Sequence, residues 1–400
     1  MKVLLINLTM GIGSTGKIVA EIKKETERAG GKAYVAYGFY RSHECDCYQI
    51  RKGGKLAVVY ELYRIRFTGY HGYTSKRATQ KLIGYIKEIE PDIINLHNIH
   101  SGYLNLPVLF QFLREFTKPI VWTIHDCWPF TGHCSYYSMI KCAKWKKGCY
   151  DCKNRYAYPQ RYLFDRSAYQ WKDKREMFTN IECMELVTPS KWLADEIGES
   201  FLKSYPVRVI SNGINLNVFQ YRDSKIKKRL NIENKKVILG VAMSWGKRKG
   251  LDDFFQLSTL LDDSYVIILI GLKKAYKEYP KIIPVDRTEN QQQLAEFYSS
   301  AECFVNPSRE ETLGMTTIEA MACGIPVITY NRTAVSEPVG NDCGIILEED
   351  RPEKIVEAIH LIENSNIDYR RVCRKHAEEH FNSEDCFRQY IELYQSLCKK

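Results

Sequence analysis

Short apolar runs alternate with amphipathic stretches through the first half of the chain. Lys2–Asn7, Lys32–Tyr37, Asp92–Leu96, Ile120–Ile124, Glu185–Thr188 and Val207–Ile210 each carry too few residues for a helix and are rich in β-branched or aromatic side chains, so they read as strands. Between them, Gly16–Ala29, Gln80–Ile89, Leu106–Arg114 and Lys191–Ile197 repeat apolar positions at helical spacing, and Pro91 ends the second of these. Strand and helix in turn, with nearly continuous apolar strands, predict a parallel sheet covered on both faces.

The pattern then restarts. Lys235–Val241, Tyr265–Ile270, Cys303–Asn306 and Val327–Thr329 read as strands; Leu251–Leu261, Gln291–Ser300, Thr316–Met321, Glu353–Ile362 and Cys386–Cys398 read as helices. Two Rossmann-like, doubly wound α/β domains facing across a cleft fit this restart better than one large sheet. The first is expected over 1–212 with a Cys-rich insert at 127–153, the second over 213–380, and 381–400 as a C-terminal helix packing back on the first domain. The linker falls near Asn212–Arg222, and ligands are expected at the carboxyl ends of the strands.

Length and composition agree: 400 residues, 44% apolar and 26% charged, suit a globular protein of two or three domains. No apolar run reaches the ~18–20 residues that span a bilayer, and MKVLLINL reads as a first strand and not as a signal peptide, so the expected location is the cytoplasm. The net charge of +10 changes the picture because it is uneven. Residues 1–200 hold 30 Lys and Arg against 20 Asp and Glu, whereas 201–400 hold 28 of each. The densest basic stretch, Arg51 to Lys87, includes Lys52, Lys55, Arg64, Arg66, Lys76, Arg77 and Lys81 with Tyr60, Tyr63, Phe67, Tyr70 and Tyr73 between them. A solvated helix face is the ordinary explanation. An anionic membrane surface is the next, which would place the protein peripherally on the inner face of the plasma membrane; nucleic acid is the least favoured partner.

Of 14 cysteines, most sit in apolar contexts that suit small core residues. Cys134, Cys142, Cys149 and Cys152 stand apart. Four thiols with short spacers, closing on C-x2-C, fit a structural Zn2+, although the first two spacings are not those of a standard zinc finger. His133 is an alternative ligand.

Chemistry concentrates in PSREETLGMTTIEAMACGIPVIT, Pro307 to Thr329. Glu311 and Glu319 flank a Gly-containing loop, Thr312, Leu313, Gly314 and Met315, that opens a helix. Unpaired N–H groups at a helix start suit a diphosphate, and carboxylates on either side suit hydroxyl-rich groups. A nucleotide sugar has both. Near the N-terminus, Gly11-Ile-Gly13-Ser-Thr-Gly16-Lys17 follows the first strand. As a dinucleotide fingerprint it lacks the acidic residue after the second strand, where Tyr37-Gly38 stand; as a P-loop it has Ile18 where a hydroxyl should meet Mg2+. What remains is a Gly loop, with Gly13 and Gly16 able to approach a phosphate or sugar closely.

E-x7-E followed by EAMACGIPVI resembles the signature of retaining glycosyltransferases of the GT-B fold, family 4, and the resemblance extends along nearly the whole chain. It implies that Glu311 sits beside the donor sugar and Glu319 binds the ribose. It implies that Lys249, in a Lys-Gly pair, neutralises the leaving diphosphate. The family's usual Arg six residues earlier is here Met243, so Lys247 or Arg248 would supply the second cation. It also implies that His125, in VWTIHDCW, contacts the donor sugar, with Asp126 as an orienting partner, and that His97, Asn98 and His100, in NLHNIHSGY, lie on the acceptor side. SNGIN at Ser211–Asn215 and TPSKWLADEI at Thr188–Ile197 resemble further family elements. Such enzymes use no divalent ion for catalysis, so any zinc would be structural.

The expected activity is transfer of a hexose-type sugar, with retention, from a UDP- or GDP-linked donor to a glycan or lipid-linked acceptor hydroxyl in cell-surface polysaccharide or glycolipid synthesis. Two other classes remain open. One is an NAD or nucleotide-sugar modifying enzyme of epimerase type, which the missing acidic ribose ligand disfavours. The other is a zinc-containing basic protein that binds nucleic acid or membrane, which leaves the Glu pair unexplained.

Overall fold

The computed structural model describes residues 1–41, 47–51, 55–154, 156, 158–160 and 162–399, the side chains of 55–58 and 62 excepted. Lys52, and the side chain of Lys55, lie outside the described residues. The chain divides into two compact units: Met1–Ile210 with Phe387–Lys400, and Ser211–Cys386.

The first unit is built on seven strands: β1 Lys2–Met10, β2 Lys32–Arg41, β3 Tyr48–Gln49, β4 Ile93–Leu96, β5 Ile120–Thr123, β6 Met184–Thr188 and β7 Val207–Val209. They lie in the order β3-β2-β1-β4-β5-β6-β7, with every neighbouring pair parallel. Leu4 pairs with Tyr34 on one side and Ile94 on the other. Alternation along β1 sends Leu4 and Ile6 into one core, shared with Ile94, Leu96 and Trp122, and Val3 and Leu5 into another, shared with Val35, Ile93 and Val121. The first core is closed by the helices Lys76–Ile89 and Leu106–Glu115. The second is closed by Ile18, Val19 and Ile22 of the helix Gly13–Arg28 and by Phe387, Tyr390, Leu393 and Tyr394 of the last helix, Ser383–Cys398. The Tyr394 hydroxyl lies inside that core and accepts a hydrogen bond from Asn95 Nδ2 at 2.6 Å.

The second unit has six parallel strands: β8 Lys236–Val241, β9 Tyr265–Ile270, β10 Ile282–Val285, β11 Cys303–Asn306, β12 Val327–Tyr330 and β13 Gly344–Leu347, in the order β10-β9-β8-β11-β12-β13. Val237, Leu239 and Ile268 face one core with Ile318 and Met321 of the helix Met315–Ala322. Ile238, Ile267 and Leu269 face the other, with the helices Leu251–Leu260 and Pro352–Glu363.

Both sheets therefore have the doubly wound, Rossmann-like form expected from the alternation of apolar runs. In each, the strand order reverses once, between β1 and β4 and between β8 and β11. The carboxyl ends at these reversals leave a crevice in open α/β sheets, where ligands bind. Helices Lys55–Thr68, Ser167–Phe178 and Tyr369–Phe381 were not expected from the hydrophobic pattern. Nor were β3, β10 and β13, all short strands at or beside a sheet edge.

Candidate functional site

At the reversal in the second unit, two loops leave adjacent strands. The one after β8 passes through Met243, which is 92% exposed, to a 3-10 turn at Lys247–Lys249. The one after β11 runs from Pro307 to Gly314, where the helix Met315–Ala322 begins. Backbone bonds tie the loops together: Arg309 N–H donates to Arg248 O at 2.8 Å, and Arg248 Nη1 donates to Glu310 O at 2.9 Å. Gly250 closes the turn at φ +71°, and a Cβ there would stand 2.6 Å from Pro307 O, so the close approach of the two loops requires glycine.

This geometry puts Lys249 Nζ against Glu311 Oε1 as an ion pair, with the side chains only 20% and 14% exposed. Burial and the Arg248 guanidinium pull the Lys249 amine down to about 7; the contacting Glu311 carboxylate favours the ammonium and opposes that pull. Glu311 N–H donates to Thr333 Oγ1 at 2.9 Å. Thr333 itself adopts a left-handed φ of 47°, an uncommon conformation for a β-branched residue. Beyond Glu311, the N–H groups of Leu313, Gly314 and Thr316 donate to no carbonyl among the described residues, whereas Met315 donates to Leu313 O and Thr317 to Gly314 O. Thr312 precedes them in the same loop. Glu319, one turn into the helix, accepts a hydrogen bond from the buried Tyr298 hydroxyl at 3.0 Å.

The two cations offered in place of the family Arg differ. Lys247 is exposed and forms no ion pair among the described residues, while Arg248 spends one guanidinium nitrogen on Glu310 O. Arg309 is committed to Asp253 at 2.9 Å and to Asp350 at 3.6 Å.

In the first unit, the Gly loop follows β1. Gly11 and Gly13 both take φ of +70°, and Gly11 N–H reaches Gly16 O at 2.9 Å. At Gly16 a Cβ would lie 2.7 Å from Thr9 Oγ1, so helix and strand meet there only without a side chain. Across the reversal, His97 and Asn98 leave β4. Asn98 N–H donates to Asn7 Oδ1 at 3.2 Å, and Asn7 also donates to Thr9 O at 2.8 Å, so one fully buried amide holds both loops. His125 follows β5 and stacks on His97, with Nε2 of His125 3.0 Å from Nδ1 of His97 and the rings 15° from parallel. Burial lowers both; His125 falls to about 4, despite the Asp126 carboxylate acting in the opposite direction. Asp126 turns instead to His100, 3.4 Å from Nε2, and accepts from Trp128 N–H at 2.9 Å and Ser135 Oγ at 3.1 Å. These partners hold its carboxyl below the ordinary range against the opposing effect of burial. His97 is thus the direct partner of His125, and Asp126 is the partner of His100.

Sequence reasoning missed Asn7, Tyr298 and Thr333. Asn7 is marked only as a polar residue in an apolar run, Tyr298 is an aromatic in a largely polar helix, and Thr333 carries no motif at all.

In the Cys-rich segment, Cys134, Cys142, Cys149 and Cys152 are thiols and line a single cavity of about 430 Å3 together with His133. Among the described residues, no three His, Cys, Asp or Glu side chains form a metal-holding group as they stand. On the basic stretch, Arg51 and Arg64 both pair with the buried Glu61, at 3.2 and 2.8 Å, which offsets part of its charge. Tyr60, Tyr63 and Phe67 are exposed along one side of the same helix. No helix among the described residues is long and apolar enough to cross a membrane.

Residues 15–218 match the family model described as Glycosyltransferase Family 4, and residues 222–380 match Glycosyl transferases group 1. An Escherichia coli (strain K12) protein provisionally assigned as a colanic acid biosynthesis glycosyl transferase is 20% identical over 99% of this chain and 100% of its own. Among solved structures, sucrose-phosphate synthase from Thermosynechococcus elongatus superposes with a TM-score of 0.71 at 17% identity, covering 99% of this chain and 98% of that one. The Anabaena HepE protein, solved with UDP and glucose, superposes with a TM-score of 0.68 at 13% identity, covering 99% and 100%.

Proposed function

The chain belongs to glycosyltransferase family 4, and on that premise we propose that it moves a sugar, with retention at the anomeric carbon, from a nucleotide diphosphate to an acceptor hydroxyl. The observation that carries this reading is the Lys249–Glu311 pair beside the N–H groups of Leu313, Gly314 and Thr316, which reach no carbonyl among the described residues. A cation and aligned amide dipoles in a half-buried loop are what a departing diphosphate needs.

Breaking the anomeric C–O bond leaves positive charge on the sugar and negative charge on the diphosphate. Lys249 and the loop amides meet that negative charge without reorganising. Removing one such preorganised donor typically costs on the order of 10^2–10^3 in rate. Glu311 accepts from sugar hydroxyls, and its contact with Lys249 keeps both groups in place between turnovers. Glu319, oriented by Tyr298, accepts from the ribose hydroxyls. Lys247 or Arg248 supplies the second cation: Lys247 is exposed, and Arg248 keeps its charge while one of its nitrogens donates to Glu310 O. In the first unit, His125 presents a neutral ring to the donor sugar, and His100, Asn98 and Asp126 bind the acceptor. The leaving phosphate takes the acceptor proton, so attack and departure occur on one face and configuration is kept.

The complexed UDP and glucose of the Anabaena protein support a nucleotide-sugar donor. The Escherichia coli relative's assignment to colanic acid synthesis supports a polysaccharide acceptor. The test is incubation with UDP- and GDP-sugars plus candidate glycans or lipid-linked glycans. Acceptor-dependent release of nucleoside diphosphate, a product with the donor's anomeric configuration, and loss of turnover in Glu311→Gln are expected. Full turnover by Glu311→Gln would refute the assignment of the donor site.

A further inference from the structure

We propose that Cys134, Cys142, Cys149 and Cys152 bind one Zn2+ that fixes the segment between β5 and the helix Ser167–Phe178. The four thiols are drawn from a stretch that contains, among its described residues, no strand and only short 3-10 turns, yet they line the same cavity. Four soft ligands of one kind select a tetrahedral thiolate metal, and Zn2+ is the common choice.

Two further features point the same way. Gly132 N–H donates to Cys149 Sγ at 3.1 Å, the kind of outer-shell bond that orients a metal-bound thiolate. A Cβ on Gly132 would stand 2.6 Å from Cys149 Cβ and 2.3 Å from Ser167 O, so the amide reaches that sulfur only from a glycine. The second feature is Lys174. It is buried, donates to Trp128 O at 2.7 Å and Thr131 O at 3.0 Å, and lies over the Trp128 ring, with no carboxylate in ion-pair contact among the described residues. A buried ammonium without a counter-charge is costly. Burial pulls the Lys174 amine well below the ordinary lysine range, against the opposing charges of Cys149, Asp126 and Cys134.

Binding Zn2+ displaces one proton from each of the four thiols and releases those protons to solvent. The resulting tetrathiolate centre carries a net charge of minus two, and Lys174 offsets part of it. Among the described residues these side chains do not form a metal-holding group as they stand, so binding requires the four thiols to converge within the cavity they line. The site has no part in transferring the sugar; it holds the loops that follow His125 and Asp126.

The test is elemental analysis of the full chain, purified without chelator or added metal and again after incubation with zinc. About one zinc per chain is expected, and replacement by Co2+ should give the ligand-field and sulfur charge-transfer bands of a tetrahedral thiolate complex. Cys142→Ser and Cys152→Ser should each lose most of the zinc, while Cys183→Ser, at an exposed cysteine elsewhere, keeps it. If those variants do not fold, the wild-type content and cobalt spectrum decide. Wild-type protein that stays near zero zinc after incubation overturns the proposal, as does zinc retained in full by both Ser variants.

Discussion

Lys249 stands between opposed influences. Burial and Arg248 favour the neutral amine, and Glu311 favours the ammonium. A lysine with a lowered pKa is charged below that value and loses its charge as pH rises through it. Since only the ammonium attracts a diphosphate, kcat/KM should fall as pH rises, beginning no earlier than about 7. Bound donor stabilises the ammonium, so kcat should persist to higher pH than kcat/KM. A Lys249→Arg variant, whose charge is fixed, should flatten the alkaline limb of the kcat/KM profile even if its rate is lower. An unchanged limb would remove Lys249 from the titration. At this scale the sequence was partly legible. Glu311, Glu319 and Lys249 stand out because their spacing matches a family pattern, and Met243 stands out as its departure. The pairing of His97 with His125, and of Asp126 with His100, could not be read, because both depend on how loops from neighbouring strands lie in space.

The elements that carry the site are two loops and one short helix. Their approach depends on Gly250, whose left-handed backbone and contact with Pro307 leave no room for a side chain. Gly250→Ala should destabilise the protein by about 1–3 kcal/mol, from the conformational penalty and the clash together. It should also weaken nucleotide binding, because Lys249 precedes it directly. Thermal denaturation beside a nucleotide titration checks both. A variant as stable as the parent, with unchanged affinity, would show that the turn relaxes freely. Elements differed in legibility for a physical reason. The fully buried parallel strand β9 is an unbroken apolar run, and β1 carries one from Val3 to Ile6. Helix Lys55–Thr68 spreads its apolar positions round the axis with Glu61, Arg64 and Arg66 among them, so no stripe marks it, and helix Ser167–Phe178 buries polar groups such as Gln170 and Lys174. Edge strands β10 and β13 are only partly buried and lose the apolar signal.

For the whole molecule, sequence periodicity conveys two sheets and their parallel sense, because alternation of strand and helix admits few topologies. It does not convey the strand order. That order matters here, since each reversal sets a pair of loops side by side: Gly13 and Gly16 near His97 and Asn98 in one unit, Lys249 near Glu311 in the other. The charge is also unequally divided, with the entire excess in residues 1–200. On the proposed reading, the unit that holds Lys249 and Glu311 grips a diphosphate through local placement of a few groups and not through net charge, because residues 201–400 carry no net excess. Calorimetric titration of the full chain with UDP, GDP and ADP tests that claim most directly. One nucleoside diphosphate should bind at a single site, and Lys249→Ala and Glu319→Ala should each weaken it by about tenfold or more, equivalent to at least about 1.4 kcal/mol. Binding that is absent for all three nucleotides, or that survives both substitutions unchanged, would contradict the account.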